Sequence, residues 1–109
     1  MGLADRAEWL KGKQPDLVAD VMLYSIEEDG RRVPVPPGYG CICVVSKDIP
    51  LQGYDALLLL EDEALCPGQQ RRLGMVFLTP EGAEAVRNTA KFFLWEGRFI
   101  GEGSVVIGV

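Results

Sequence analysis

The stretch Phe92-Phe93-Leu94-Trp95-Glu96-Gly97-Arg98-Phe99-Ile100-Gly101-Glu102-Gly103-Ser104-Val105-Val106 decides the fold. Two apolar, β-favouring runs flank Glu96-Gly97, the pattern of a tight β-hairpin whose second strand continues toward the end of the chain. Gly97 supplies the positive φ that such a turn needs. Glu96 is a poor residue where both central positions need positive φ. The turn is therefore expected to hold Gly97 alone in that region, or to be a bulged three-residue loop, and not to be type I′. Gly101 and Gly103 leave two gaps on one face of the second strand, where another strand or a bend is expected to pass close. A nucleotide-binding reading of this Gly-x-Gly is weak, because no helix pattern follows it.

Upstream of the hairpin, Thr79-Pro80-Glu81 is a helix-start signal: a hydroxyl at the cap, proline at the first helical position and an acid in the first turn. It predicts one short connecting helix from Pro80 to about Asn88. Before it, Gln70 to Leu78 alternates Arg71, Leu73, Met75 and Phe77 against Arg72, Gly74, Val76 and Leu78, as a strand does. Tyr54 to Leu60 is apolar on both faces and bounded by Gly53 and by Glu61-Asp62-Glu63, which suits an interior strand. Tyr39 to Ser46 is a further strand, with Cys41, Cys43 and Val45 on one face. Lys47 to Gly53 reads as a loop that has room for a short edge strand. Asp16 to Ile26 is again apolar on both faces, as in a closed barrel. The acidic turn that follows it, Glu27-Glu28-Asp29-Gly30, places Gly30 in the left-handed region. Pro34, Pro36, Pro37 and Gly38 make the next segment an irregular connector. Six strands separated by turn signals predict an all-β fold, a small closed antiparallel six-stranded barrel. Residues 1–14, with Leu3, Ala7 and Leu10 at helical spacing, are either a flexible lead-in or a short helix, and the barrel occupies 15–109.

With 109 residues, 48% hydrophobic and 25% charged, the chain has the composition of one soluble globular domain. Acids outnumber bases by 16 to 11, so the long-range field repels polyanions, and a nucleic-acid contact needs a local basic patch. Histidine is absent, which removes the usual general base and the commonest metal ligand. The longest apolar run, Ala56 to Leu60, is too short for a membrane-spanning helix, and the first residues carry no apolar leader, so a cytoplasmic location is expected. Cys41, Cys43 and Cys66 are an odd number, which fits reduced thiols. Cys41 and Cys43 read as buried small hydrophobes. The sharper alternative is a metal site with Cys66 as third ligand, and it lacks a fourth soft ligand. The carboxylates Glu61, Asp62 and Glu63 lie in a turn, where solvation is commoner than catalysis, and no nucleophile has a histidine to activate it. Neither an enzyme nor a cofactor is expected.

The closing stretch resembles the last hairpin of the third domain of translation elongation factor Tu, which carries Phe-x-Ile-x-Glu-Gly-Gly-Arg-x-Val-Gly-x-Gly-x-Val. Here the turn has one glycine fewer. Leu17 to Tyr39 resembles the start of the same domain: Phe-x-Ala-x-Val-x-Val-Leu, an acidic turn, Arg-His-Thr-Pro, then Gly-Tyr-Arg-Pro-Gln. Leu65-Cys66-Pro67-Gly68 resembles its Val-Met-Pro-Gly turn. Three anchors in the family's order cover residues 15–107, and no Gly-x-x-x-x-Gly-Lys-Ser/Thr nucleotide loop occurs in the sequence.

In that family the barrel touches the backbone of the tRNA T-stem, and those contacts carry over to Arg31, Arg32, Gly40, Ile42, Glu96 and Gly97. Gly40 stands where the family has arginine and Ile42 where it has glutamine, so two groups that meet phosphate or ribose are missing. Arg31 and Arg32 alone imply weak, salt-dependent binding. The family barrel also docks on protein partners. The expectation is therefore a non-catalytic, free-standing barrel that acts as a protein-interaction module. Its partner is unknown, and it involves neither membrane nor nucleotide. The alternative is a weak tRNA- or RNA-binding module. Arg31, Arg32, Tyr39, Glu96, Gly97 and Arg98 are the candidate contact residues under either reading. Arginines clustered on one exposed face would support RNA binding, and arginines dispersed among acids would not.

Overall fold

The computed structural model describes residues 2–28 and 30–107. Its order is α1 (Leu3–Leu10), β1 (Leu17–Leu23), β2 (Gly40–Val44), β3 (Gly53–Leu59), β4 (Gln70–Phe77), α2 (Pro80–Thr89), β5 (Lys91–Trp95) and β6 (Phe99–Val105). The strands close into an antiparallel barrel in the spatial order β1-β4-β3-β2-β5-β6. Closure pairs both edges of every strand, so no free sheet edge remains.

Alternation sorts the side chains. Ala19, Val21, Leu23, Cys41, Cys43, Ala56, Leu58, Met75, Phe92 and Leu94 point inward and fill the core, and no polar or charged side chain among the described residues is buried with them. The two glycines of β6 make room for this packing. Gly103 stands opposite Phe92, and a Cβ there would lie 2.2 Å from the Phe92 ring. At Gly101 the neighbour is β1, whose Met22 carbonyl a Cβ would meet at 2.6 Å. Both gaps are therefore occupied, one by a ring and one by the adjacent strand. The hairpin turn also follows its sequence. Trp95 pairs with Phe99, Gly97 alone has positive φ (75°), and a bulge lies at Leu94/Trp95. The three-residue loop is closed by the Glu96 N–H donating to the Arg98 carbonyl at 2.8 Å.

Thr79 caps α2 by accepting a hydrogen bond from the Gly82 N–H at 3.2 Å, with Pro80 in the first turn, as the start signal implies. The helix buries Ala83 and Val86 against the end of the barrel where β4 stops and β5 begins. A second short helix packs at the other mouth of the barrel, where β3 ends. The opening residues form α1, which buries Leu10, donates from Arg6 Nη1 to the Gly38 carbonyl at 3.1 Å and pairs Lys11 with Asp62 at 2.9 Å. Docking supplies the stability that eight residues lack alone.

Two local expectations change. Lys47 to Gln52 contains no strand, because β2 and β3 pair directly from Val44–Gly53 backward and leave no edge for it. The segment after β1 tightens into a single 3-10 turn, Ile26–Glu28. The left-handed conformation expected of Gly30 involves Asp29, which lies outside the described residues. What the structure gives Gly30 is a close approach: a Cβ there would sit 2.1 Å from the Tyr24 carbonyl oxygen. No helix among the described residues is long and apolar enough to cross a membrane.

Candidate binding surface around the closing hairpin

Antiparallel closure brings the candidate residues together. β2 begins, and β1, β3 and β5 end, at the same mouth of the barrel. The 24–39 connector and the β5–β6 turn therefore meet there. Arg31 Nη1 lies 2.9 Å from Glu96 Oε2, and the Tyr39 hydroxyl donates to the same oxygen at 2.8 Å. The Arg31 guanidinium also lies over the Tyr39 ring, 4.7 Å from its centroid, and its Nε donates to the Val33 carbonyl at 3.1 Å. Arg98 Nη2 reaches back to the Gly30 carbonyl at 2.9 Å. The Glu96 carboxylate, accepting the phenolic proton, raises the Tyr39 pKa, and burial adds to the effect.

Arg31, Tyr39, Glu96, Gly97 and Arg98 thus form one cluster. Arg32 is exposed beside it and makes no hydrogen bond or ion pair with a described residue. The cluster is a brace. The Arg31 side chain is only 10% exposed, and its charge is matched by Glu96 and its ring partner. Little of it is available to a phosphate. The two arginines that keep their charge exposed, Arg32 and Arg98, pair with no described acid.

The outer wall of β2, β5 and β6 carries a second group that the sequence reading passed over. Ile42, Trp95 and Phe99 share one cross-strand row, and Val44 and Phe93 the next. Trp95 and Phe99 meet edge to face with centroids 4.9 Å apart, and Phe93 and Phe99 at 5.9 Å. Lys47 Nζ lies 4.8 Å from the centroids of both Phe93 and Phe99, and Lys91 lies 5.9 Å from Phe93. Val44 is buried although it lies outside the main core, whereas Ile42 is 38% exposed. The apolar character of β5 on both faces was the available signal, since only one face can point inward. Nothing in the sequence places Lys47 over two rings.

Glu102 lies on the same wall, where it accepts from the Tyr24 hydroxyl at 2.9 Å and stands 3.6 Å from Lys91. Burial and this carboxylate push the Tyr24 pKa up to about 12.

The cysteines behave as small hydrophobes. Cys41 and Cys43 are buried and Cys66 is exposed. Burial pushes the Cys41 thiol up to about 12 and the Cys43 thiol upward as well, which disfavours the thiolate that a nucleophile or metal ligand requires. Among the described residues no group of three or more metal-ligating side chains comes together. Glu61, Asp62 and Glu63 lie exposed along a groove between α1 and the β3–β4 wall, where Asp62 and Glu63 face Lys11 and Arg71.

No protein-family model and no curated protein sequence matches this chain.

Proposed function

We propose that the chain is a non-catalytic barrel of the elongation factor Tu third-domain kind and that it works as a protein-interaction module through its outer surface. The observation that carries this reading is the contrast between interior and exterior. The barrel is filled by apolar side chains and holds no buried polar side chain among the described residues. Outside, Arg31 and Glu96 are spent on each other, while Ile42 is exposed beside the half-buried rings of Phe93, Trp95 and Phe99. The acidic net charge of −5 supports a protein partner over a polyanion. A cytoplasmic location belongs to the same proposal.

A weak tRNA contact is the second reading, and one observation favours it: Arg32 and Arg98 are exposed beside the hairpin without a described acid partner. Two experiments test the first reading against it. A photo-crosslinking amino acid at position 42 is expected to give adducts in cells that proteases remove and ribonuclease leaves intact. Labelled tRNA, followed by anisotropy at two low salt concentrations, is expected to show no binding. Adducts destroyed by ribonuclease, or tRNA binding that is lost in the Arg31→Ala/Arg32→Ala variant, would replace the first reading with the second.

A further inference from the structure

We infer that two copies of this chain meet through the outer wall of β2, β5 and β6, in a two-fold dimer centred on Ile42 and Trp95. This rests on the protein-interaction reading above and names the partner as a second copy. The strand register sets one outward row across the wall: Asp55 stands opposite Ile42, Ile42 opposite Trp95, and Trp95 opposite Phe99. Leu78, 63% exposed, continues the row past Asp55, whose carbonyl accepts its N–H at 3.1 Å. Strands tilt in a closed barrel, so such a row runs obliquely along the wall and its members share a face. Ile42, Trp95 and Phe99 form the apolar centre. Asp55 lies to one side of it, and Lys47, seated over the Phe93 and Phe99 rings, to the other. Aromatic centre and charged margin are the anatomy of a protein interface.

Charge balance selects the occupant. Arg31 with Glu96 and Lys91 with Glu102 are ion pairs and cancel. The exposed groups that remain on the face are Lys47, Asp48 and Asp55, with Arg98 at its hairpin end, and none forms an ion pair with a described residue. Both signs are present and neither dominates, so the face selects neither a polyanion nor an acidic or basic segment. A surface with both signs about an apolar centre is complementary to itself. A two-fold axis lying between Ile42 and Trp95 brings Lys47 of each copy to Asp55 of the other and stacks the two centres. Lys47 is held by two aromatic faces, so its position is fixed before the second copy arrives. The net charge of −5 on each copy opposes approach. Physiological salt screens that repulsion beyond about 8 Å, which leaves the contact face to decide. Because the barrel is closed, a second copy cannot add a strand to an edge and must bind through side chains on the wall.

The test is sedimentation equilibrium of the intact chain at rising concentration, up to about 1 mM. The weight-average mass is expected to climb from the 12.0 kDa of one copy toward that of two. Lys47→Glu and, separately, Asp55→Lys are each expected to weaken association about tenfold or more, because each sets like charges against one another at two symmetric places. Mixing the two variants is expected to restore it, since every facing pair is then of opposite sign. That recovery also shows that both variants are folded. Ile42→Ser is expected to weaken association about tenfold, and Arg72→Gln on the opposite wall to leave it unchanged. A single copy at every concentration, a dimer indifferent to both charge reversals, or a mixture that fails to recombine overturns the inference. If the chain stays single while position 42 still crosslinks to a different protein in cells, the second copy is wrong and the interaction module stands. If those crosslinks are also absent, both fall.

Discussion

On the β1–β4 wall Asp20 and Arg72 face each other across the strands and join through two hydrogen bonds, 2.9 and 3.2 Å long, which lower the Asp20 pKa and raise that of Arg72. On the β2–β5–β6 wall Lys47 rests on two phenyl rings and forms no ion pair with a described acid. Both walls belong to one barrel and share one core. The first uses its charges to match one another and is flanked by α1, while the second leaves a cation and apolar surface open to solvent. Exposed charge is therefore a poor guide to a binding site in this chain, and exposed charge without a partner a better one. The Arg31 cluster is the intermediate case. It lies where the family resemblance puts a recognition surface, yet its geometry is that of the matched wall.

Substitutions can break or sharpen this contrast. The largest effects belong to the core that both walls share. Phe92→Ala is expected to cost about 3–5 kcal/mol in chemical denaturation, because the ring is fully buried over Gly103. Gly103→Ala, which forces a Cβ into that ring, is expected to cost about 1–3 kcal/mol. A loss no larger than that of a surface variant would mean that the ring is not seated there. Arg31→Ala is expected to come next, at about 1–2 kcal/mol. It removes a nearly buried guanidinium that ties the connector to the hairpin and leaves Glu96 without its cation. Glu96→Gln retains the Tyr39 contact and should cost less. If Arg31→Ala changes tRNA affinity and leaves stability alone, the brace assignment is wrong. The smallest effect is expected at Arg72→Ala, because an exposed pair on a wall already held by its strand register adds little, and the melting temperature should stay within error.

Titration reports on the two buried thiols and on the Tyr24–Glu102 contact of the outer wall. Cys41, Cys43 and Tyr24 have folded pKa values above their unfolded ones, so the folded state holds protons that the unfolded chain gives up. Their contribution is intact below the unfolded thiol value near 9 and is lost as pH rises toward 12. The melting temperature should therefore fall across that window, and Cys41→Ala should flatten part of the decline. In the native protein at neutral pH one thiol, Cys66, should react rapidly with a disulfide reagent, and the other two only after unfolding. Three fast thiols would contradict the packed interior.

Much of this was legible in the residues. Alternation in β1, β4 and β5, the Gly97 turn and the Thr79-Pro80 start were each local signals, and closing six such strands leaves few arrangements. The docking of α1 was not legible, because it depends on Leu10, Arg6 and Lys11 meeting partners far away in sequence. The candidate residues came from the resemblance; the structure brings Arg31, Tyr39, Glu96, Gly97 and Arg98 together with Arg32 exposed beside them, and the role of that cluster was not legible. Whether Arg31 faces solvent or Glu96 depends on a contact 65 positions apart. Lys47 was invisible for the same reason: its loop carries no pattern, and its ring partners lie on strands that only the barrel brings near.

The most direct measurement is an amide proton–nitrogen correlation spectrum of the intact chain, titrated with tRNA at low salt. A spectrum that tRNA leaves unchanged, with Arg31 held by Glu96 and Tyr39, is the expected result. Changes driven by tRNA and centred on Arg31, Arg32 and Arg98 would contradict the division between a braced cluster and an open wall.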